Sequence, residues 1–202
     1  MPQLLPIFPL DSVLLPGVTL PLHIFEPRYK EMIEQCLAEK KAFGVVRAKP
    51  DEGIAEIGCT AEILELTKRY EDGRMDIVAI GRRRFEILEV NHDRNFIQAE
   101  VLFVDDEDAV PNPEERRQVL ELYEQILDAV GSDTEIDTDS SLLSYQLAGS
   151  LPIDLDFKQA ILGIRSETER LAGLIDFFEA ILPKLQKAAR RRDKAGGNGH
   201  VP

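Results

Sequence analysis

The chain is poor in the side chains that metal and redox sites need. Its 202 residues include no tryptophan, two cysteines and three histidines. Cys36 and Cys59 lie far apart, in a helix-like and a strand-like pattern, so we predict two small buried side chains rather than a disulfide or metal ligands. His23, His92 and His200 show neither HExxH nor HxH spacing. We therefore predict no metal and no cofactor, with His23 as a surface or hydrogen-bonded structural residue.

Long hydrophobic runs are also absent. No segment reaches the ~18 to 20 uncharged apolar residues of a membrane span, and residues 1–10 lack the basic start of a signal peptide. These absences predict a cytoplasmic protein that does not engage a membrane. Hydrophobic residues still make up 44% of the chain, which is enough to bury a core without disulfides.

Sequence signatures of common catalytic sites are missing as well. There is no GxxxxGK[ST] phosphate loop and no serine in a GxSxG elbow. Carboxylates are abundant, but they occur in charge runs rather than in a pattern that predicts a catalytic pair. Residues 105–108 lack the interleaved ligands and the glycine of a calcium loop, so they are predicted to form a solvated linker. We predict no catalytic residue and no enzyme activity.

Net charge disfavours nucleic acid and anionic membranes as partners. The formal charge is −13, and the sequence pI is near 4.7, so the overall field repels phosphate backbones. Positive charge is concentrated at Arg82, Arg83 and Arg84 and in a basic tail. The three arginines could bind phosphate or an acidic peptide. The simpler interpretation is a turn followed by a strand with its arginines pointing outward.

The first hundred residues predict a curled β-barrel with one helix. Prolines at positions 6, 9 and 21 belong at strand edges, bends or bulges, because they cannot donate to a central ladder. Asp72 and Gly73 indicate a hairpin turn, and Gly81 indicates a break between strands. The predicted strands are 4–10, 18–25, 43–48, 53–67, 75–80, 84–90 and 96–104, and the predicted helix is 27–39.

The second half of the chain follows a helical period instead. Asn112 and Pro113 predict the start of a helix that Gly131 ends. Further helices are predicted at 142–147, 157–164 and 171–182, and Pro183 is expected to kink or end the last one. The sequence therefore predicts an α+β chain: a β-barrel subdomain at 1–108, a helical bundle at 109–186 and a flexible basic tail at 187–202.

The segment that joins the second strand to the first helix is the most unusual part of the sequence. Three polar side chains fall on the helix face opposite the apolar stripe and are candidates for contact with a partner. They are Arg28, Glu31 and Gln35. A purely structural interpretation is that Glu26 accepts the first free amides of the helix, while Phe25 and Tyr29 anchor the core.

An ordered set of short motifs resembles the Lon protease amino-terminal (substrate-binding) domain family. No single motif is decisive, but their order and spacing together are specific. The barrel half carries LPIFPL at 5–10, LPG at 15–17, LPL at 20–22, IFEPRY at 24–29, FGVV at 43–46, GCTAEI at 58–63, DGR at 72–74 and GRRRF at 81–85. The helical half carries the weaker matches SYQLA at 144–148, LP at 151–152 and KQ at 158–159.

The resemblance implies a PUA-like β pseudobarrel followed by a C-terminal helical bundle. It also implies a non-catalytic, stand-alone substrate-recognition or adaptor module, because the family's ATPase and serine–lysine peptidase modules are missing from this chain. The implied partners are unfolded or exposed polypeptide segments, or a proteolytic partner. The helix that starts at Pro27 matches the family region implicated in substrate contact, which favours Arg28, Glu31 and Gln35.

An alternative function is RNA binding, because PUA-like barrels often bind RNA. Arg82 and Arg83, the secondary site candidates, would then contact phosphates together with the basic tail. The net charge opposes this alternative.

Overall fold

The computed structural model of the chain describes residues 2–49, 52–107 and 111–196. Within these ranges the barrel half contains seven strands and one helix, and the other half contains four helices, which confirms the predicted α+β class. The barrel elements are β1 (Gln3–Leu10), β2 (Thr19–Ile24), α1 (Pro27–Glu39), β3 (Phe43–Lys49), β4 (Gly53–Ile54), β5 (Ile57–Arg69), β6 (Met75–Asn91) and β7 (Gln98–Val104). The helices that follow are α2 (Pro113–Val130), α3 (Leu143–Ser150), α4 (Leu155–Gly163) and α5 (Glu167–Gly196).

The sheet curls into a barrel because β1 changes partners midway. Its first half pairs with β7 in antiparallel fashion, and its second half pairs with β3 in parallel. From β7 the strand order continues through β6 and β5 to β3, so the sheet closes on itself. Pro6 and Pro9 lie on either side of this exchange of partners, where a missing N–H group interrupts little of the ladder.

Strand β6 is longer than predicted. The expected break at Gly81 is wrong, because β6 runs from Met75 to Asn91 and pairs with β5 on one side and with β2 and then β7 on the other. At Gly81 the segment between β1 and β2 crosses the strand: Gly17 N donates to Gly81 O (2.9 Å), and Gly81 N donates to Val18 O (3.0 Å). A Cβ on Gly81 would lie 2.1 Å from the Leu15 carbonyl oxygen. The glycine permits a close crossing rather than a turn.

Other local predictions for the barrel half are confirmed, except that one predicted strand is interrupted. The turn at Asp72 and Gly73, where Gly73 has a φ of 81°, joins β5 to β6. The predicted strand at 53–67 is divided into β4 and β5. Cys36 and Cys59 are free and buried. Burial raises the pKa of the Cys36 thiol to about 11 and that of the Cys59 thiol to about 12, so both stay protonated at neutral pH.

Helix α2 begins and ends as predicted, but α5 does not. The Asn112 side chain accepts a hydrogen bond from Glu114 N (2.9 Å), and Gly131 ends α2 in the left-handed conformation. Helix α5 continues through Pro183 to Gly196, so residues 187–196 of the predicted flexible basic tail are helical. Alanine, lysine and arginine dominate this stretch, and their helix propensity outweighs the one hydrogen bond lost at Pro183. Residues 197–202 lie outside the described residues.

The acidic run 105–108 was predicted to be a solvated linker, and for Asp106 this is wrong. Its carboxylate accepts two hydrogen bonds from Arg170, at 2.6 and 3.2 Å, and a further one from Arg84. Arg170 lies on α5 and is fully buried, and Arg84 lies on β6 and is also buried. Both partners are distant in sequence, so the local charge pattern could not indicate them.

The same cluster extends into the helical half. Glu167 Oε2 accepts from Arg170 (2.7 Å) and from the Ser144 hydroxyl (2.6 Å), while Arg84 donates to the carbonyl oxygens of Leu162 (3.0 Å) and Ile164 (2.8 Å). Burial opposes the charge on Arg170, but the hydrogen bonds that it donates to the Asp106 and Glu167 carboxylates outweigh this effect and raise its pKa. The cluster of Arg84, Asp106, Ser144, Glu167 and Arg170, which we call the ionic cluster, joins the barrel to three helices.

The hydrophobic core is also shared between the two halves. One cluster of buried side chains extends from Phe8 and Ile24 in the barrel half to Tyr123 and Phe178 in the helices. A smaller cluster around Phe85 fills the barrel beneath β1 and β7. The predicted boundary near residue 108 falls in 108–110, outside the described residues, and the division into subdomains stays a prediction. No helix in the described part of the chain is long and apolar enough to cross a membrane.

Replacement of Gly81 by alanine should destabilise the fold sharply. The new methyl group would overlap a backbone carbonyl that cannot rotate away, so we expect Gly81→Ala to lower the free energy of unfolding by about 3 kcal/mol. Gly173→Ala in α5 is the matched control: its Cβ would meet Ile161 Cδ1 at 3.8 Å, an ordinary contact, and a helical alanine is neutral or stabilising. Denaturant unfolding measures both. Equal effects of the two substitutions would contradict the crossing geometry.

Loss of the Asp106 carboxylate should expose the dependence of the fold on the ionic cluster. Asp106→Ala leaves two buried guanidinium groups without their shared acceptor, and we expect a loss of about 3 kcal/mol of stability. Its neighbour Asp105 pairs with Arg83 on the surface, with 79% of its side chain exposed. Asp105→Ala should therefore change the free energy of unfolding by less than about 0.5 kcal/mol. Chemical denaturation of both variants at neutral pH provides the comparison.

Candidate functional site

An open cleft of about 650 Å³ lies at the end of the barrel where β1 and β3 finish. Its sides come from the last residues of β1, β2 and β3, from β4, and from the start of α1. Leu10, Leu22, Ile54 and Ile97 supply apolar side chains to it. We call this space the barrel cleft.

Phe25 projects outward at one side of the barrel cleft. Along β2, Leu22 and Ile24 turn toward the protein, while Pro21 and His23 are exposed. Phe25 continues the outward series, and 58% of the residue is exposed. Its predicted role as a core anchor is therefore wrong, although the period of two along β2 was a signal that could have placed it outside.

Tyr29 is buried, as predicted for a core anchor. Its ring lies 4.2 Å from the ring of Phe8, centroid to centroid, beneath the barrel cleft. Burial raises the pKa of the Tyr29 hydroxyl, and the neighbouring Arg28 opposes this increase only in part. The hydroxyl therefore stays neutral at physiological pH.

Glu26 does not cap α1 through its side chain, so that prediction is wrong. Its carboxylate instead accepts a hydrogen bond from Arg28 Nε (2.9 Å). The Arg28 guanidinium also lies over the Tyr29 ring, 4.6 Å from its centroid. This arrangement holds an exposed cation at the side of the barrel cleft, and Arg28 is the one predicted helix-face candidate that lines it.

Glu31 and Gln35 lie on the predicted face of α1 but contact another part of the protein. Asn95 donates to Glu31 (2.9 Å), and Arg94 donates to Gln35 (2.8 Å). Both donors belong to the loop between β6 and β7, which also carries Ile97 into the barrel cleft. The two side chains therefore position a loop that borders the site, and direct contact with a partner stays a prediction.

His23 takes part in a surface hydrogen-bonded chain, as predicted. Its Nδ1 lies 2.5 Å from one oxygen of Asp76, and the Tyr70 hydroxyl donates to the other at 2.8 Å. The hydrogen bond with His23 is the main reason that the pKa of the Asp76 carboxyl is lowered. These hydrogen bonds orient the His23 ring, whose centroid lies 6.0 Å from that of the Phe25 ring.

Arg82 and Arg83 lie elsewhere, beside a smaller pocket of about 300 Å³ near the start of β1. Arg82 donates to Glu62 (2.7 Å), and Arg83 donates to Asp105 (3.2 Å) and stacks over Phe103, 4.1 Å from its centroid. Arg84 was expected to point outward but is buried in the ionic cluster. The structure therefore does not bring the secondary candidates together with Arg28.

The barrel cleft offers apolar surface and paired charges rather than a reactive group. Lys49, at its side, is bonded to Glu52 (3.3 Å) and Asp156 (2.8 Å). Across the described ranges, no three histidine, cysteine or acidic side chains are placed to hold a metal ion. Such a surface is suited to contact with another molecule.

The family model of the ATP-dependent protease La (LON) substrate-binding domain matches residues 4–179. The chain is 28% identical to a Lon protease of Flavobacterium johnsoniae, over 92% of this chain and 25% of that protein. It is 29% identical to Lon protease 2 of Myxococcus xanthus, over 80% of this chain and 22% of that protein. The chain therefore spans about a quarter of the length of these relatives.

Solved structures resemble the fold along most of its length. The crystal structure of a Lon N-terminal domain protein from Xanthomonas campestris has a TM-score of 0.71 and 28% identity, covering 86% of this chain and 98% of that one. The N-terminal domain of the Mycobacterium avium complex Lon protease, at 22% identity and a TM-score of 0.64, covers 88% and 98% and supports the fold alone. With most of its length matched by the family model, the chain belongs to the LON substrate-binding domain family.

Proposed function

We propose that the protein binds exposed polypeptide segments without catalysing a reaction, and that the barrel cleft with the start of α1 is the contact surface. The observation that carries the proposal is Phe25, an exposed aromatic residue at the side of an apolar cleft. Large exposed apolar side chains grouped at a concave surface are typical of binding sites. The family to which the chain belongs supports a polypeptide as the ligand.

Burial of Phe25 supplies an energetic reason for binding. Complete transfer of an aromatic side chain from water into an apolar contact contributes about 1.5–3 kcal/mol, and Phe25, which is 58% exposed, can gain the corresponding part of it. The charged groups at the cleft can keep their partners when a ligand binds, because Arg28 and Lys49 are paired with carboxylates of the protein itself. The surface can therefore gain apolar contact with little cost from unpaired charge.

Arg28 is proposed as a direct contact, whereas Glu31 and Gln35 are proposed to act through the β6–β7 loop. The exposed Arg28 guanidinium can donate to carbonyl or carboxylate oxygens of a peptide in the cleft. RNA binding is not favoured, because Arg82 and Arg83 are each paired with a carboxylate and Arg84 is buried. A proteolytic partner remains the other class predicted from the sequence.

Substitution of Phe25 should weaken the binding of unfolded polypeptide. We expect saturable binding of a fluorescently labelled, reduced and alkylated model polypeptide, measured by fluorescence anisotropy. Phe25→Asp removes the apolar contact and adds a charge, so the Kd should rise at least about tenfold. Arg28→Ala should raise the Kd by a smaller factor, about threefold to tenfold.

Leu64→Asp is the matched control, because Leu64 on β5 is 50% exposed but does not line the barrel cleft. Its Kd should stay within about twofold of the unsubstituted protein, and unfolding measurements should show that all variants remain folded. A similar loss of binding from both aspartate substitutions would indicate nonspecific hydrophobic binding rather than binding at one site. Absence of binding at every accessible concentration would remove the proposal.

A further inference from the structure

One edge of β2 carries backbone groups that no strand uses. β2 pairs with β6 along Thr19–Ile24, and no strand in the described part of the chain pairs with its other edge. We infer that this free edge of β2 is a pairing edge for the bound ligand, which adds to the sheet as a short extended strand. The inference rests on the proposed function of the barrel cleft and specifies how the ligand is held.

The register identifies which groups point outward. In an antiparallel ladder, residues alternate between those bonded to the partner strand and those directed away from it. Gly81 N donates to Val18 O (3.0 Å), and the register continues without a bulge to Ile24 and Met75. Thr19, Pro21 and His23 therefore direct their backbone groups away from β6. Pro21, which has no N–H, is compatible with that outward position.

The outward groups of Pro21 and His23 lie beside the barrel cleft. His23 offers an N–H donor and a carbonyl acceptor, and Pro21 offers a carbonyl acceptor. Leu22, His23 and Ile24 line the cleft, and the last residues of β1 line it as well. The cleft is thus a gap beside a strand edge that is open to another chain.

β1 contributes a second unpaired edge beside the gap. Over Ile7 to Leu10, β1 pairs with β3 on one side. On its other side, Ile7 N donates to Ile97 O (2.8 Å), and no strand in the described ranges continues the ladder beyond that bond. At ~3.3 Å per residue, the two edges can accommodate about three to five residues of extended peptide.

An extended apolar segment is the occupant that this geometry favours. Side chains of a strand alternate between its two faces, so one series would pack beside Phe25 while the other faces the apolar side chains of the cleft. Main-chain hydrogen bonds recognise any extended backbone, and the alternating contacts add a preference for apolar residues. The shortness of the edge and the presence of Pro21 limit uncontrolled pairing with further strands.

Backbone methylation of the ligand tests strand addition directly. A ten-residue peptide is taken from the model polypeptide that binds. It is compared with two N-methylated versions, one methylated at the amides of its even-numbered residues and the other at those of its odd-numbered residues. Strand pairing uses the amides on one edge of the peptide, so methylation in one version should raise the Kd at least about tenfold. The Kd of the other version should stay within about threefold of that of the unmethylated peptide, as should the Kd of a version with one terminal amide methylated.

Substitution of His23 tests the same inference from the protein side. His23→Pro removes the outward N–H, whereas His23→Ala keeps it and serves as the control for loss of the imidazole. We expect the Kd of the unmethylated peptide to rise more than about fivefold for His23→Pro relative to His23→Ala. If His23→Pro does not fold, the methylated peptides still decide the question.

The outcomes separate the two proposals. If the unmethylated peptide binds and both methylated versions bind equally well, strand addition is overturned while the proposed function stands. If Phe25→Asp reduces binding but His23→Pro and His23→Ala bind alike, the contact is made by side chains alone. If the peptide and its parent polypeptide do not bind, the proposed function fails and strand addition fails with it.

Discussion

The buried guanidinium of Arg170 is the constraint on which the arrangement of the two halves depends. A cation removed from water costs several kcal/mol unless carboxylates and hydrogen-bond acceptors surround it. Asp106 supplies two of its bonds from the end of the barrel half, and Glu167 and the Ser144 hydroxyl supply others from the helices. Arg84 completes the cluster by reaching from β6 to the last turn of α4 and to Ile164, which follows that helix. These hydrogen bonds tie the helices to the barrel half through β6 and the segment that follows β7.

A second set of ion pairs connects the helical half to the barrel cleft. Asp156 at the start of α4 accepts from Arg47 (2.7 Å) and from Lys49 (2.8 Å), both on β3. Lys49 lines the cleft, and β4, which pairs with the end of β3, lines it as well. The helical half therefore supports one side of the proposed binding surface, although every residue that lines the cleft belongs to the barrel half.

Local chemistry allowed much of the fold to be predicted. The apolar stripe of α1, the turn at Gly73 and the two ends of α2 depend on neighbouring residues, so their patterns were reliable. Predictions failed where distant contacts overrode a local rule. Gly81 permits a crossing instead of ending a strand, and Asp106 pairs with arginines 22 and 64 positions away. Of the predicted site residues, Arg28 reached the cleft, whereas Glu31 and Gln35 face a loop.

The sequence by itself determined the α+β class, the family, the order of most strands and helices, and the burial of both cysteines. These properties follow from periodicity, turn residues and ordered motifs, all of which are local. Only the tertiary structure decided that β1 exchanges partners, that no described strand pairs with one edge of β2, and that both strands line the cleft. The physical reason is that strand pairing depends on which segments meet in space, and a strand with a free edge has the same local pattern as one whose two edges are paired.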